Sequence, residues 1–95
     1  MASLTLTTGT KAATSTASVI GTPSSKRTLL AIHSPAGAAA TVYIGADNVT
    51  ASNGIPLAAG ERIVFTNDGG GPHASHDWYV YAASSVTLQY TEAHG

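Results

Sequence analysis

A chain of 95 residues has room for one domain and one modest core, and without a single cysteine it has neither a disulfide nor a thiolate metal site to staple that core. Only 9% of its residues are charged, against about 25% in an ordinary soluble domain. The net charge of −1 comes from five acids and four cations, and these include no basic run for a phosphate backbone, so nucleic acid is excluded as a partner.

Residues 1–27 are rich in Thr, Ser and Ala and read as an N-terminal arm ahead of a folded domain at 28–95. The start Met1-Ala2-Ser3-Leu4-Thr5 has neither a basic nor an apolar leader pattern, and the longest low-polarity stretch, 36–46, is too short to cross a bilayer. The expectation is a chain made in the cytoplasm with no membrane partner. Leu4 and Leu6 alternate with Thr5 and Thr7, a short strand signal, and Ala17-Ser18-Val19-Ile20 is a second. Each strand pairs either within the domain or with a neighbouring subunit.

From Thr28 the pattern tightens. Strands are predicted at 28–33, 41–44, 62–66, 77–82 and 85–91, punctuated by Ser34-Pro35-Ala36-Gly37, by Gly45, by Ala59-Gly60-Glu61 and by the Gly-rich loop 67–72. Val86, Leu88 and Tyr90 fall on one face of the last strand while Thr87, Gln89 and Thr91 fall on the other. The short Ala83-Ser84 link predicts a hairpin between the last two strands. No window carries a sustained 3.6-residue apolar stripe, so the fold class is all-β: a small antiparallel β-sandwich or jelly-roll-like barrel with an extended N-terminal arm. The predicted core is Leu30, Ile32, Val42, Ile44, Leu57, Ile63, Phe65, Trp78, Val80, Val86, Leu88 and Tyr90. Burying about a dozen such side chains roughly balances the ordering cost of so short a chain, which favours oligomerisation or docking.

Sites of chemistry are few. His73, His76 and Asp77 form a His-x-x-His-Asp cluster beside the Gly-rich loop, a weak ligand-site candidate, because three-residue spacing entering a strand does not converge the side chains. There is no Gly-x-Ser-x-Gly elbow, the acids are scattered, and Asp68-Gly69-Gly70-Gly71-Pro72 lacks the Lys-Ser/Thr ending of a phosphate loop. The chain is therefore read as not an enzyme, with no catalytic residue, metal or cofactor. Asn48-Val49-Thr50 matches a glycosylation sequon but reads as a turn. Tyr43, Tyr79 and Tyr81 fall opposite the core residues of their strands, where they either form an aromatic interface or are covered within the domain. With Leu4, Leu6, Val19 and Ile20 of the arm they are the candidate interface residues.

The run Thr41-Val42-Tyr43-Ile44-Gly45, the Val49-Thr50 turn, Gly54-Ile55-Pro56-Leu57 and Gly60-Glu61, with Arg27-Thr28-Leu29 upstream and the 78–82 and 86–92 segments downstream, resembles a pattern in small structural proteins of tailed bacteriophages. The resemblance covers about residues 27–92. It implies a β-sandwich virion protein, assembled after synthesis in the host cytoplasm, a homo-oligomer that partners the major capsid protein or other virion subunits. The leading expectation is a capsid decoration (cement) protein. A tail, connector or fibre-associated subunit is the alternative within the particle. The alternative of another class is a carbohydrate- or receptor-binding β-module built on Trp78, Tyr79 and Tyr81 with His73, His76 and Asp77 as polar partners.

Overall fold

In the computed structural model, which describes residues 5–21, 27–66 and 73–94, eight strands are arranged in two sheets. They are β1 (Thr5–Ala13), β2 (Ser18–Val19), β3 (Arg27–His33), β4 (Val42–Gly45), β5 (Ile55–Leu57), β6 (Arg62–Thr66), β7 (Tyr79–Ala82) and β8 (Val86–His94). A 3₁₀ turn, His73–Ser75, precedes β7. The first sheet has the order β1-β8-β3-β6 and the second β2-β7-β4-β5, with every neighbouring pair antiparallel. The pairings β1 with β8, β2 with β7, β3 with β6 and β4 with β5 are those of one long antiparallel ribbon. Winding that ribbon on itself adds the pairs β3 with β8 and β4 with β7, which is the jelly-roll arrangement.

The core lies between the sheets. Leu30, Ile32 and Leu88 of the first sheet meet Val42, Ile44, Leu57 and Val80 of the second, with Ala13, Ile20, Ala82 and Val86 closing the cluster. All twelve predicted core residues belong to this cluster or pack against it; Ile63, Phe65, Trp78 and Tyr90 are the half-buried members. Phe65 and Trp78 stack with ring centroids 4.0 Å apart and planes 12° from parallel.

Two expectations are corrected, and one short strand is added. Residues 5–21 of the segment read as an arm are part of the roll, since β1 pairs with β8 along nine residues and β2 pairs with β7. Its polar composition hides this because the β1 ladder needs little burial: of its residues only Ala13 is buried. The hairpin predicted across Ala83-Ser84 does not form. Ala82 and Val86 are both buried, and the exposed residues 83–85 carry the chain from one sheet to the other, about 10 Å away. Finally, Ile55–Leu57 is an edge strand, where Pro56 is tolerated because that side needs no ladder donor, and Leu57 fills the core.

The sequon-like Asn48-Val49-Thr50 lies in the β4–β5 connection. There the Asn53 side chain accepts from the Thr50 N–H at 2.7 Å and donates to the Asn48 carbonyl at 3.2 Å, while Val49 is buried beneath.

Candidate assembly surfaces and the buried ion pair

Each sheet turns one face to the core and one outward, so the register fixes what the outer faces carry. On the second sheet Tyr43 of β4 stands directly opposite Tyr81 of β7 on one side and Pro56 of β5 on the other. Tyr79 stands opposite Gly45 and Val19. The three tyrosines and Val19 thus share one face, all half-buried and none in the core cluster. Ile20, expected beside them, points the other way and is fully buried, so it is a core residue and not an interface residue. Its main chain also donates to the Trp78 carbonyl at 2.9 Å, anchoring the end of β2. Leu4 lies outside the described residues.

The outer face of the first sheet divides into two ends. Leu6, Ala93 and Leu29 stand opposite one another across β1, β8 and β3, and Val64 of β6 lies one pair along, opposite Ala31. Leu6 is 70% exposed and Val64 49%. Toward the other end Thr8, Thr10, Thr91, Gln89, His33 and Arg62 line an open trough of about 490 Å³, with His33 Nδ1 3.3 Å from Gln89 Oε1.

Of the His-x-x-His-Asp cluster, two side chains are described, His76 and Asp77. His73 opens the 3₁₀ turn, and its side chain lies outside the described part of the protein. His76 and Asp77 are exposed and, with Trp78, Gly45 and Ala46, border a shallow cleft of about 270 Å³. Among the described residues no group of three or more His, Cys, Asp or Glu side chains is placed to hold a metal. The Trp78 indole, which a carbohydrate site would need as a platform, is stacked on Phe65.

Sequence reasoning missed the most specific polar feature. Arg27 and Glu92 form an ion pair at 2.7 Å with side chains 0% and 1% exposed. Parity alone would send Arg27 outward with Leu29, Ala31 and His33. A bulge between Arg27 and Leu29 shifts the register so that Arg27 pairs with His94 and turns inward. Two further donors go to main-chain carbonyls, Nε to Ala74 at 2.5 Å and an Nη to His76 at 2.7 Å. One guanidinium therefore ties the 3₁₀ turn to both central strands of the first sheet.

Gly21 packs on the Glu92 carboxylate in a left-handed conformation, φ +72°, and a Cβ there would lie 2.7 Å from Glu92 Cδ. Gly21→Ala is expected to lower the unfolding free energy by about 2 kcal/mol or more, from the αL penalty together with displacement of the carboxylate. Urea denaturation reads this directly, and an unchanged midpoint would contradict the packing described. No protein-family model, no curated protein and no solved structure matches the chain.

Proposed function

We propose that this chain is a structural subunit of a larger assembly, a capsid decoration protein of a tailed bacteriophage that holds neighbouring subunits together by surface contact. The observation that carries this reading is the tyrosine face of the second sheet, Tyr43, Tyr79 and Tyr81 beside Pro56, on a molecule with very little surface charge. Of the four cations and five acids, one of each is consumed in the core. Half-buried tyrosines bring large, rigid contact area at low entropic cost, and sparse charge lowers the cost of desolvating the surface around them. The jelly-roll topology and the resemblance over residues 27–92 support a virion role.

The work such a subunit does is mechanical. A rigid sandwich laid across a subunit boundary raises the cost of separating the subunits it touches. Replacing Tyr43 and Tyr81 together by Ser is expected to leave the far-ultraviolet circular dichroism spectrum unchanged and to weaken binding of the purified protein to particles lacking it by about tenfold or more. Undiminished binding would remove the tyrosine face as the docking surface. For the carbohydrate-binding alternative, the Phe65 stack takes one face of the Trp78 indole; tight, sugar-specific retention on a glycan array would favour that alternative over the assembly reading.

A further inference from the structure

The two sheets have four edges, and three are blunted. β2 has two residues, β5 has three with Pro56 at its centre, and β6 has five, begins with the exposed Arg62 and has the 3₁₀ turn beside it. Short strands, prolines, charges and covering segments are the devices by which proteins prevent edge-to-edge pairing. Among the described residues the fourth edge, β1, has none of them except Lys11. It is nine residues long, about 30 Å of edge, without proline. Thr5 to Thr8 are exposed on both faces, and among the described residues the strand pairs only with β8. Alternate residues of such an edge hold their N–H and C=O groups away from the sheet, a template for pairing along the whole row with another extended strand.

We infer that β1 pairs antiparallel with β1 of a second copy, making a two-fold dimer whose first sheets join into one eight-stranded sheet. The chain's own sequence selects this occupant. The middle residue of Thr5–Ala13 is Gly9, and a two-fold axis perpendicular to the sheet must keep outer faces together, so opposed residues share parity. Centred on Gly9, the register sets Thr8 against Thr10 of the partner and Leu6 against Ala12 on the outer face, and Lys11 against Thr7 on the inner face. Threonine pairs are favourable cross-strand neighbours, and Leu6, 70% exposed in one copy, gains an apolar partner. The two Lys11 side chains stand four residues apart along the joined edge, about 13 Å, beyond a Debye length at physiological salt. Gly9 has a further role: a Cβ there would lie 2.7 Å from Tyr90 Oη, so its absence lets the Tyr90 phenol lie over the middle of the edge strand. The dimer is a property of the free protein and stands apart from any virion role.

Sedimentation velocity of the full chain from micromolar to millimolar concentration is expected to show a reversible monomer–dimer equilibrium. Thr8→Lys with Thr10→Lys places like charges opposite each other twice across the axis and is expected to weaken the dimer by about tenfold or more. Thr8→Lys with Thr10→Glu places opposite charges at the same positions and is expected to restore it, which also shows that charged substitutions here leave β1 folded. Because the protein has no cysteine, chains carrying Thr8→Cys mixed with chains carrying Thr10→Cys report the register: a short bifunctional maleimide is expected to link the mixture far more than either chain alone. A monomer throughout the concentration range, or a dimer indifferent to the paired lysine substitutions, overturns the inference. A dimer that the lysine pair weakens but whose cross-linking favours another pairing overturns the Gly9-centred register.

Discussion

Glu92→Leu is expected to lower the unfolding free energy by about 3–5 kcal/mol, the cost of leaving one member of a buried pair without the other. That is a large part of the roughly 5–14 kcal/mol available to a chain of this length. Arg27→Met leaves the carboxylate without its cation and removes the donor to the Ala74 and His76 carbonyls, and it is expected to cost a similar amount. The double variant Arg27→Met with Glu92→Leu removes both charges and is expected to recover much of the loss, though not all, because the Ala74 and His76 carbonyls lose their donor. Urea unfolding of the four proteins closes a double-mutant cycle. Additive single effects would mean that the pair is not coupled as described.

Ile32→Ala is expected to cost about 2–5 kcal/mol, since the side chain is fully buried on a central strand and the surrounding residues close a cavity there only in part. Ile32 stands between Tyr90 of β8 and Ile63 of β6, both packed against the same core. Leu6→Ala is the informative contrast. With Leu6 70% exposed, its truncation is expected to change monomer stability by no more than about 0.5 kcal/mol. Equal losses from the two substitutions, measured by urea denaturation at dilution, would put Leu6 inside the fold and contradict the assignment of faces.

Those two sites mark how much of the structure was legible in the sequence. The core was readable because strand parity decides burial: Val86, Leu88 and Tyr90 alternate with Thr87, Gln89 and Thr91, and the structure buries or half-buries the first set. Continued by one step, the same parity reaches Glu92, so half of the buried ion pair was visible as a carboxylate on an inward face. Arg27 was not, because a one-residue bulge reverses its parity and nothing local announces the bulge. The tyrosines were legible by the same alternation, and their gathering on one face needed only the register of β4 with β7.

Two strand signals in the N-terminal segment were legible, and β1 and β2 lie where they fall, but the segment's membership of the roll was not, for a related reason. A strand of Thr, Gly and Ala held by its ladder on an edge lacks the apolar signal that identifies a buried strand, yet Thr is well suited to a pleated, half-exposed surface. Likewise the short link after Ala82 suggested a hairpin, whereas the burial of both Ala82 and Val86 makes it a corner between sheets. Link length alone does not distinguish a turn within a sheet from a crossing between two.

The role proposed for the tyrosine face is tested most directly by cryo-microscopy of purified particles that contain this chain. The account predicts density for the eight-stranded roll repeated over the head lattice, with the face of Tyr43, Tyr79 and Tyr81 against a capsid subunit. Density confined to the tail, a copy number far below that of the lattice, or a tyrosine face open to solvent would contradict it.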